Sequence, residues 1–270
     1  MNKSLISSIA YTNNLMFFTG LIVLLTLFGF SSLAAEIGLV YSIVATVNQI
    51  FSYNLKNLIL FNNDKNFALE VFNLRIFLGV ITLVSCIIIL DRYDLGFNSN
   101  KLVILVTVIV IQQWLLEVFL IMYEMKNRYK LINIFNFISF TNVFIVIINV
   151  AYFDNKYLLI IFYFIAVENL FVLLYFLNIN NILKLNFLKI FHSISRLFVF
   201  TSSLAVILSI FFWRVFIYLN YEKDIAGILF SSFAVGSFIG TFFASAIGPT
   251  LIKNNIKIMF YSKLYLFLSI

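Results

Sequence analysis

The sequence predicts an all-α protein that crosses a lipid bilayer many times. Three observations predict it. Hydrophobic residues make up 63% of the chain and charged residues only 11%, so there is too little to build the polar shell of a soluble domain. The apolar stretches run for about 20 residues, the length that spans hydrocarbon as a helix. They are unbroken and do not alternate with polar residues, as barrel strands do. Lipid offers free backbone groups no partners, so such runs fold as helices.

Nine spans, each long enough to be about one bilayer thick apart from the cut-off ninth, follow in order. The first two, 14–33 and 38–61, form a unit from Asn14 to Asn63, split by the polar break LAAEIG at residues 33–38. The third, 72–90, opens on Arg75, and the fourth, 102–123, carries Gln112, Gln113, Trp114 and Glu117. The fifth, 131–152, follows a basic loop with Lys126, Arg128 and Lys130. The sixth, 157–177, contains Glu168 beside Asn169, and the seventh, 194–219, opens on Arg196. The eighth, 225–248, is rich in Gly, Ser and Ala and stops at Pro249, the single proline. Its Gly236 and Gly240 form a G-x-x-x-G pair, which lets helix backbones approach closely. The ninth, 258–270, is cut short.

The opening unit is written twice. From Arg196 the chain again reads apolar run, polar break, apolar run. Glu36-Ile37-Gly38 in the first break matches Asp224-Ile225-Ala226-Gly227 in the second, and Ser42 and Ser231 each follow their glycine by four residues. The two glycines, 38 and 227, are 189 residues apart. This spacing predicts a six-helix N-terminal lobe over 1–190 and the beginning of a pseudo-symmetric C-terminal lobe over 191–270. A membrane protein that restarts its pattern after six spans has the plan of a two-lobed transporter. The chain ends inside the second copy, so a truncated member is expected.

Basic residues set the orientation. Arg92, Lys101, Lys156, Arg214 and Lys223 fall on one side, and the other 13 of the 18 Lys and Arg residues fall on the opposite side. The richer side is expected to be cytoplasmic, which puts the N-terminus inside. The N-terminal stretch MNKSLISSIAYTNN lacks a short apolar core with a small-residue cleavage site, so the first span is expected to be retained. The net charge of +7 is then a property of topology and not of nucleic-acid binding. The lone Cys86 excludes an intrachain disulfide, and the lone His192 has no partner of ligand type. No metal or cofactor is expected. No P-loop, dinucleotide turn or H-E-x-x-H helix is present.

An ionisable group inside a span is costly and marks function by default. Glu117 shares a helix face with Gln113, four residues before it. It either lines a wet cavity, makes an interhelical hydrogen bond, or is a carboxylate near the cytoplasmic surface. Glu168 is deeper and is a candidate for ion coupling. Arg75 and Arg196 are either snorkelling topology signals or contacts to an anionic substrate. Asn48 and Gln49 add polar groups to the second span and suggest that it faces a hydrated interior.

Three stretches together resemble the polysaccharide-biosynthesis flippases, the O-antigen and capsule repeat-unit translocases of the multidrug/oligosaccharidyl-lipid/polysaccharide exporter superfamily. The first is GFSSLAAEIGLVYSIVATVNQI, with Gly38, Tyr41 and Ser42 where the family opens its second helix on a glycine-led motif. The second is QQWLLEVFLIMYEMKNRYK, with Trp114, Glu117 and Glu124 before a basic loop. The third is WRVFIYLNYEKDIAGILFSS, with Arg214, Ala226 and Gly227. The acid that commonly precedes the seventh-helix arginine is Trp213 here, the aromatic after Ala-Gly is shifted to Phe230, and the first helix lacks an internal arginine.

The resemblance implies a translocase of the bacterial cytoplasmic membrane, not an enzyme. It would flip an undecaprenyl-diphosphate-linked glycan outward by alternating access and work beside other polysaccharide assembly proteins. It implies Arg75 and Arg196 as contacts to the diphosphate and Glu168 as the ion-coupling group, with Asn48, Gln49, Gln113 and Glu117 in the cavity wall. The alternatives are a drug or ion exporter of the same superfamily, a membrane-embedded enzyme of the pathway, or a structural membrane subunit. The last predicts that intramembrane charges pair with each other.

Overall fold

Every long apolar run that can be followed is a helix. A computed structural model describes residues 3–50, 65–92, 100–180 and 200–242. It contains α1 (Lys3–Leu27), α2 (Ser31–Ile50), α3 (Lys65–Arg92), α4 (Asn100–Met125), α5 (Tyr129–Tyr152), α6 (Leu158–Asn180), α7 (Phe200–Asn220) and α8 (Lys223–Phe242). No strand occurs among the described residues. Five of these helices contain spans long and apolar enough to cross a membrane: Ser31–Asn48, Ala68–Ile88, Asn100–Met125, Tyr129–Tyr152 and Leu158–Phe176. The apolar parts of α1 and α7, Met16–Leu27 and Leu208–Asn220, are shorter. The expected ninth span, 258–270, lies outside the described residues.

The first break in the chain falls earlier than LAAEIG. The α1 helix ends at Leu27, and Gly29 takes φ +84°. The Phe30 N–H donates to Leu25 O at 2.8 Å and the Gly29 N–H to Thr26 O at 3.1 Å. This pair of bonds closes a helix around a left-handed glycine. Leu33 to Gly38 instead form the first turns of α2, because Leu, Ala and Glu are strong helix formers and one glycine does not stop them. The same closure ends α4 without glycine. Asn127 has φ +56°, and Arg128 N–H reaches Tyr123 O at 2.9 Å. Asp154 and Asn155, also at positive φ, turn the chain from α5 into α6; short Asp and Asn side chains tolerate this region.

The α4 helix sits in the middle and packs on α1, α2, α3, α5 and α6. The α2 helix packs on α1, α3, α4, α7 and α8, and its most extensive partner is α8. Two apolar clusters fill the interior. One joins Phe18, Ile22, Val40, Ile109, Phe162 and Phe230. The other joins Tyr11, Phe72, Phe119, Tyr123 and Phe176. On the outside, α5 and α6 expose Phe137, Phe144, Tyr163, Phe164 and Phe171, and α3 exposes Phe77, Val80 and Ile88. An apolar shell around a polar-seeded interior suits a helix bundle bathed in lipid.

Candidate functional site: buried charges between the helices

Among the polar residues of α3, Arg75 points inward and is 1% exposed. A guanidinium keeps its charge at this depth, so it needs acceptors. The α4 helix supplies them one turn apart. Arg75 Nη1 donates to Glu117 Oε2 at 2.9 Å and to the Trp114 backbone carbonyl. The Arg75 Cζ lies 4.9 Å from the centre of the Trp114 ring, within the range of a cation–π contact. Glu117 is 14% exposed. Arg75 Nε and Nη2 are buried with no hydrogen-bond partner. The ion pair therefore leaves two charged donors unused.

Other polar groups come from α1 and α4. Asn14 Nδ2 donates to the Gln113 carbonyl at 2.8 Å, and its Oδ1 is buried without a partner. Gln112 Nε2 donates to Ala166 O on α6 at 2.9 Å, and its Oε1 is likewise unmatched. Tyr11 lies beside Glu124. Three neighbouring helices, α1, α3 and α6, thus bring polar atoms to α4, and several of the buried polar atoms gathered there lack the partners that buried groups ordinarily have.

Glu168 stands apart from this group, on the α5–α6 side. It is half-buried and accepts a 2.8 Å hydrogen bond from Asn142 Nδ2, which is buried. Asn48 is buried near the end of α2, with Oδ1 unmatched. Arg196 and the side chain of Gln49 lie outside the described residues. Of the expected site residues, Arg75 and Glu117 meet directly, and Gln113 takes part only through its backbone carbonyl, which accepts from Asn14.

A second set of charges gathers where α2, α7 and α8 converge. Lys223 Nζ lies 2.9 Å from Glu36 Oε1; Glu36 is 1% exposed and Lys223 32%. Arg214 of α7 is 5% exposed, and its Nη1 reaches the Gly38 carbonyl at 3.4 Å. Its Cζ lies 5.7 and 5.4 Å from the Phe230 and Phe233 rings. Arg214 Nε has no partner. From the sequence alone, Glu36 and Lys223 read as loop residues and Arg214 as a topology charge and part of the third family-like stretch. The available signal was a single arginine inside FFWRVF, an apolar run that has no use for a charge.

No group of three His, Cys, Asp or Glu side chains among the described residues is placed to hold a metal. Comparison with known protein families, curated proteins and solved structures finds no match.

Proposed function

We propose that the chain is part of a membrane translocase that carries an anionic lipid-linked oligosaccharide across the bacterial cytoplasmic membrane by alternating access, with its N-terminus cytoplasmic. The observation that carries this reading is Arg75. A guanidinium buried within the helix bundle with two unmatched nitrogens, Nε and Nη2, is poised to bind oxyanions such as those of a lipid diphosphate. Glu117 tempers its charge, so a bound headgroup is not held irreversibly. Asn14, Asn48, Gln112 and Gln113 supply neutral hydrogen-bonding groups of the kind that sugar hydroxyls require. In this reading residues 1–190 are a six-helix lobe and 191–270 begin its counterpart, within a protein of nine or more spans. Arg196 is a further cationic contact and Glu168 the coupling group. Undecaprenyl-diphosphate-linked glycans of O-antigen or capsule assembly fit this chemistry.

The test is leaflet transfer. The protein is reconstituted in vesicles with a fluorescent polyprenyl-diphosphate sugar, and loss of label from the outer leaflet is followed. Arg75→Gln and Arg196→Gln each reduce transfer by at least about tenfold, the cost of one charge-assisted contact. Unchanged transfer in both variants overturns the reading.

A second reading is favoured by a specific observation. Both Arg75 and Lys223 sit against carboxylates, as in a structural membrane subunit whose charges serve only to join helices. Replacing the pair together, as Arg75→Met with Glu117→Leu, separates the two. A structural pair tolerates this exchange; a substrate site loses transfer.

A further inference from the structure

The convergence of α2, α7 and α8 holds one interaction that cannot persist if the helices part and one that the closed arrangement leaves incomplete. The first is a backbone contact. A Cβ at Gly227 would fall 1.9 Å from the Ser31 carbonyl oxygen, and a Cβ at Gly38 would fall 2.7 Å from Phe230 Cδ2. Thr26 Oγ1, at the end of α1, also reaches the Gly227 carbonyl at 3.4 Å. The first turns of α2 and α8 are therefore in direct contact, and Lys223–Glu36 ties them. The second is Arg214. It is buried beside that contact and near Tyr41, with no carboxylate partner among the described residues, one long hydrogen bond to Gly38 O, two aromatic faces and an unmatched Nε. Burial of an ion with incomplete partners opposes closure, because opening would hydrate it.

We infer that the α2–α8 contact is a two-position latch, closed in this structure, which Glu36–Lys223 and the fit at Gly227 hold shut and which the uncompensated Arg214 drives open. The use of such a latch rests on the translocase reading, where it would close one end of the passage between the lobes. Its mechanics do not. Glycine contacts and an ion pair make closure specific, and the buried guanidinium keeps it from being permanent. Two arrangements of comparable stability are what a gate needs. In a purely structural joint, by contrast, an apolar residue at 214 would serve better and its substitution would not change access.

The test reads access and not transport. In full-length protein in membranes, with Cys86 replaced by Ser, Ala34→Cys is placed on α2 between Ser31 and Gly38, where the side chain is fully buried, and labelled with a membrane-impermeant maleimide. Labelling is expected to be slow in this background. Glu36→Gln removes the tie and raises the rate by about tenfold, and Arg214→Met lowers it by a similar factor, as a shifted two-state equilibrium requires. The exchange Glu36→Lys with Lys223→Glu restores the slow rate and shows that Glu36→Gln did not simply unfold the protein. Faster labelling in Arg214→Met, or equal labelling in all variants, overturns the latch. If labelling follows the expected order while Arg75→Gln and Arg196→Gln leave leaflet transfer unchanged, the latch stands and the translocase reading falls.

Discussion

Arg75 and Glu117 meet at 2.9 Å across α3 and α4, with Trp114 beneath the guanidinium. The three side chains join the two helices through a charge pair within long apolar runs. Removing either charge alone leaves the other buried without its counter-ion. Glu117→Ala is expected to destabilise the protein by about 3 to 5 kcal/mol, and Arg75→Met with Glu117→Leu to restore most of that loss. Thermal unfolding of the single and double variants in detergent checks both outcomes.

The contact between α2 and α8 depends on the absence of a side chain. Gly227→Ala puts a methyl group against the Ser31 backbone, which cannot yield without moving a helix. An overpacking cost of about 1 to 3 kcal/mol is expected. Gly38→Ala meets the Phe230 ring instead, which is a side chain. Gly38→Ala combined with Phe230→Leu should recover stability, whereas no single substitution at Ser31 rescues Gly227→Ala. Unfolding midpoints of the four variants decide the point.

Gly29 and Gly20 should respond in opposite directions. Gly29 closes α1 at φ +84°, so Gly29→Ala strains the turn and costs about 1 kcal/mol. Gly20 lies within α1 with nothing within 4 Å of an added Cβ. Gly20→Ala therefore raises helix propensity and stabilises by about 0.5 to 1 kcal/mol. Melting temperatures of the two variants, compared with wild type, test the assignment of the turn.

Asn142 and Glu168 form a side-chain pair between α5 and α6. If the pair only joins helices, Glu168→Gln keeps the hydrogen bond and changes little, and Asn142→Leu costs about 0.6 kcal/mol, the average for such bonds within membranes. If Glu168 carries the coupling charge, Glu168→Gln abolishes the dependence of leaflet transfer on an ion gradient and leaves stability intact. Transfer measured with and without a gradient distinguishes these outcomes, and we expect the second.

Fold class was legible because the solvent dictates it. Runs such as Leu102–Tyr123 can only be helices in lipid, and α4 spans them from Asn100 to Met125. The break before α2 lies at Gly29 and not at the polar LAAEIG, because polarity alone does not end a helix. Glu36 looked like a loop residue, but its carboxylate is buried against Lys223, a partner that no local pattern can reveal. Arg75 and Glu117 were each legible as intramembrane charges. That they face one another depends on the rotation of α3 against α4, which hydrophobic runs apolar on every side do not encode. Arg214 is visible in the sequence as a cation within an apolar run, but the feature that sets it apart, a missing counter-charge, depends on tertiary packing.

The separation of Glu36 from Lys223 has a consequence for biogenesis. They are 187 residues apart in the chain, so at 5 to 20 residues per second the ribosome needs roughly 10 to 40 s to supply the second after the first. Throughout that interval a carboxylate belonging to the first hairpin waits for its ammonium. Hydrocarbon would not accept it charged. The nascent hairpin must therefore be held by the insertion machinery, or keep Glu36 at the headgroups, until α8 arrives. Early release of the first hairpin into lipid would be a route to misassembly, and substitutions that delay or remove Lys223 would be expected to show their first effect on membrane yield.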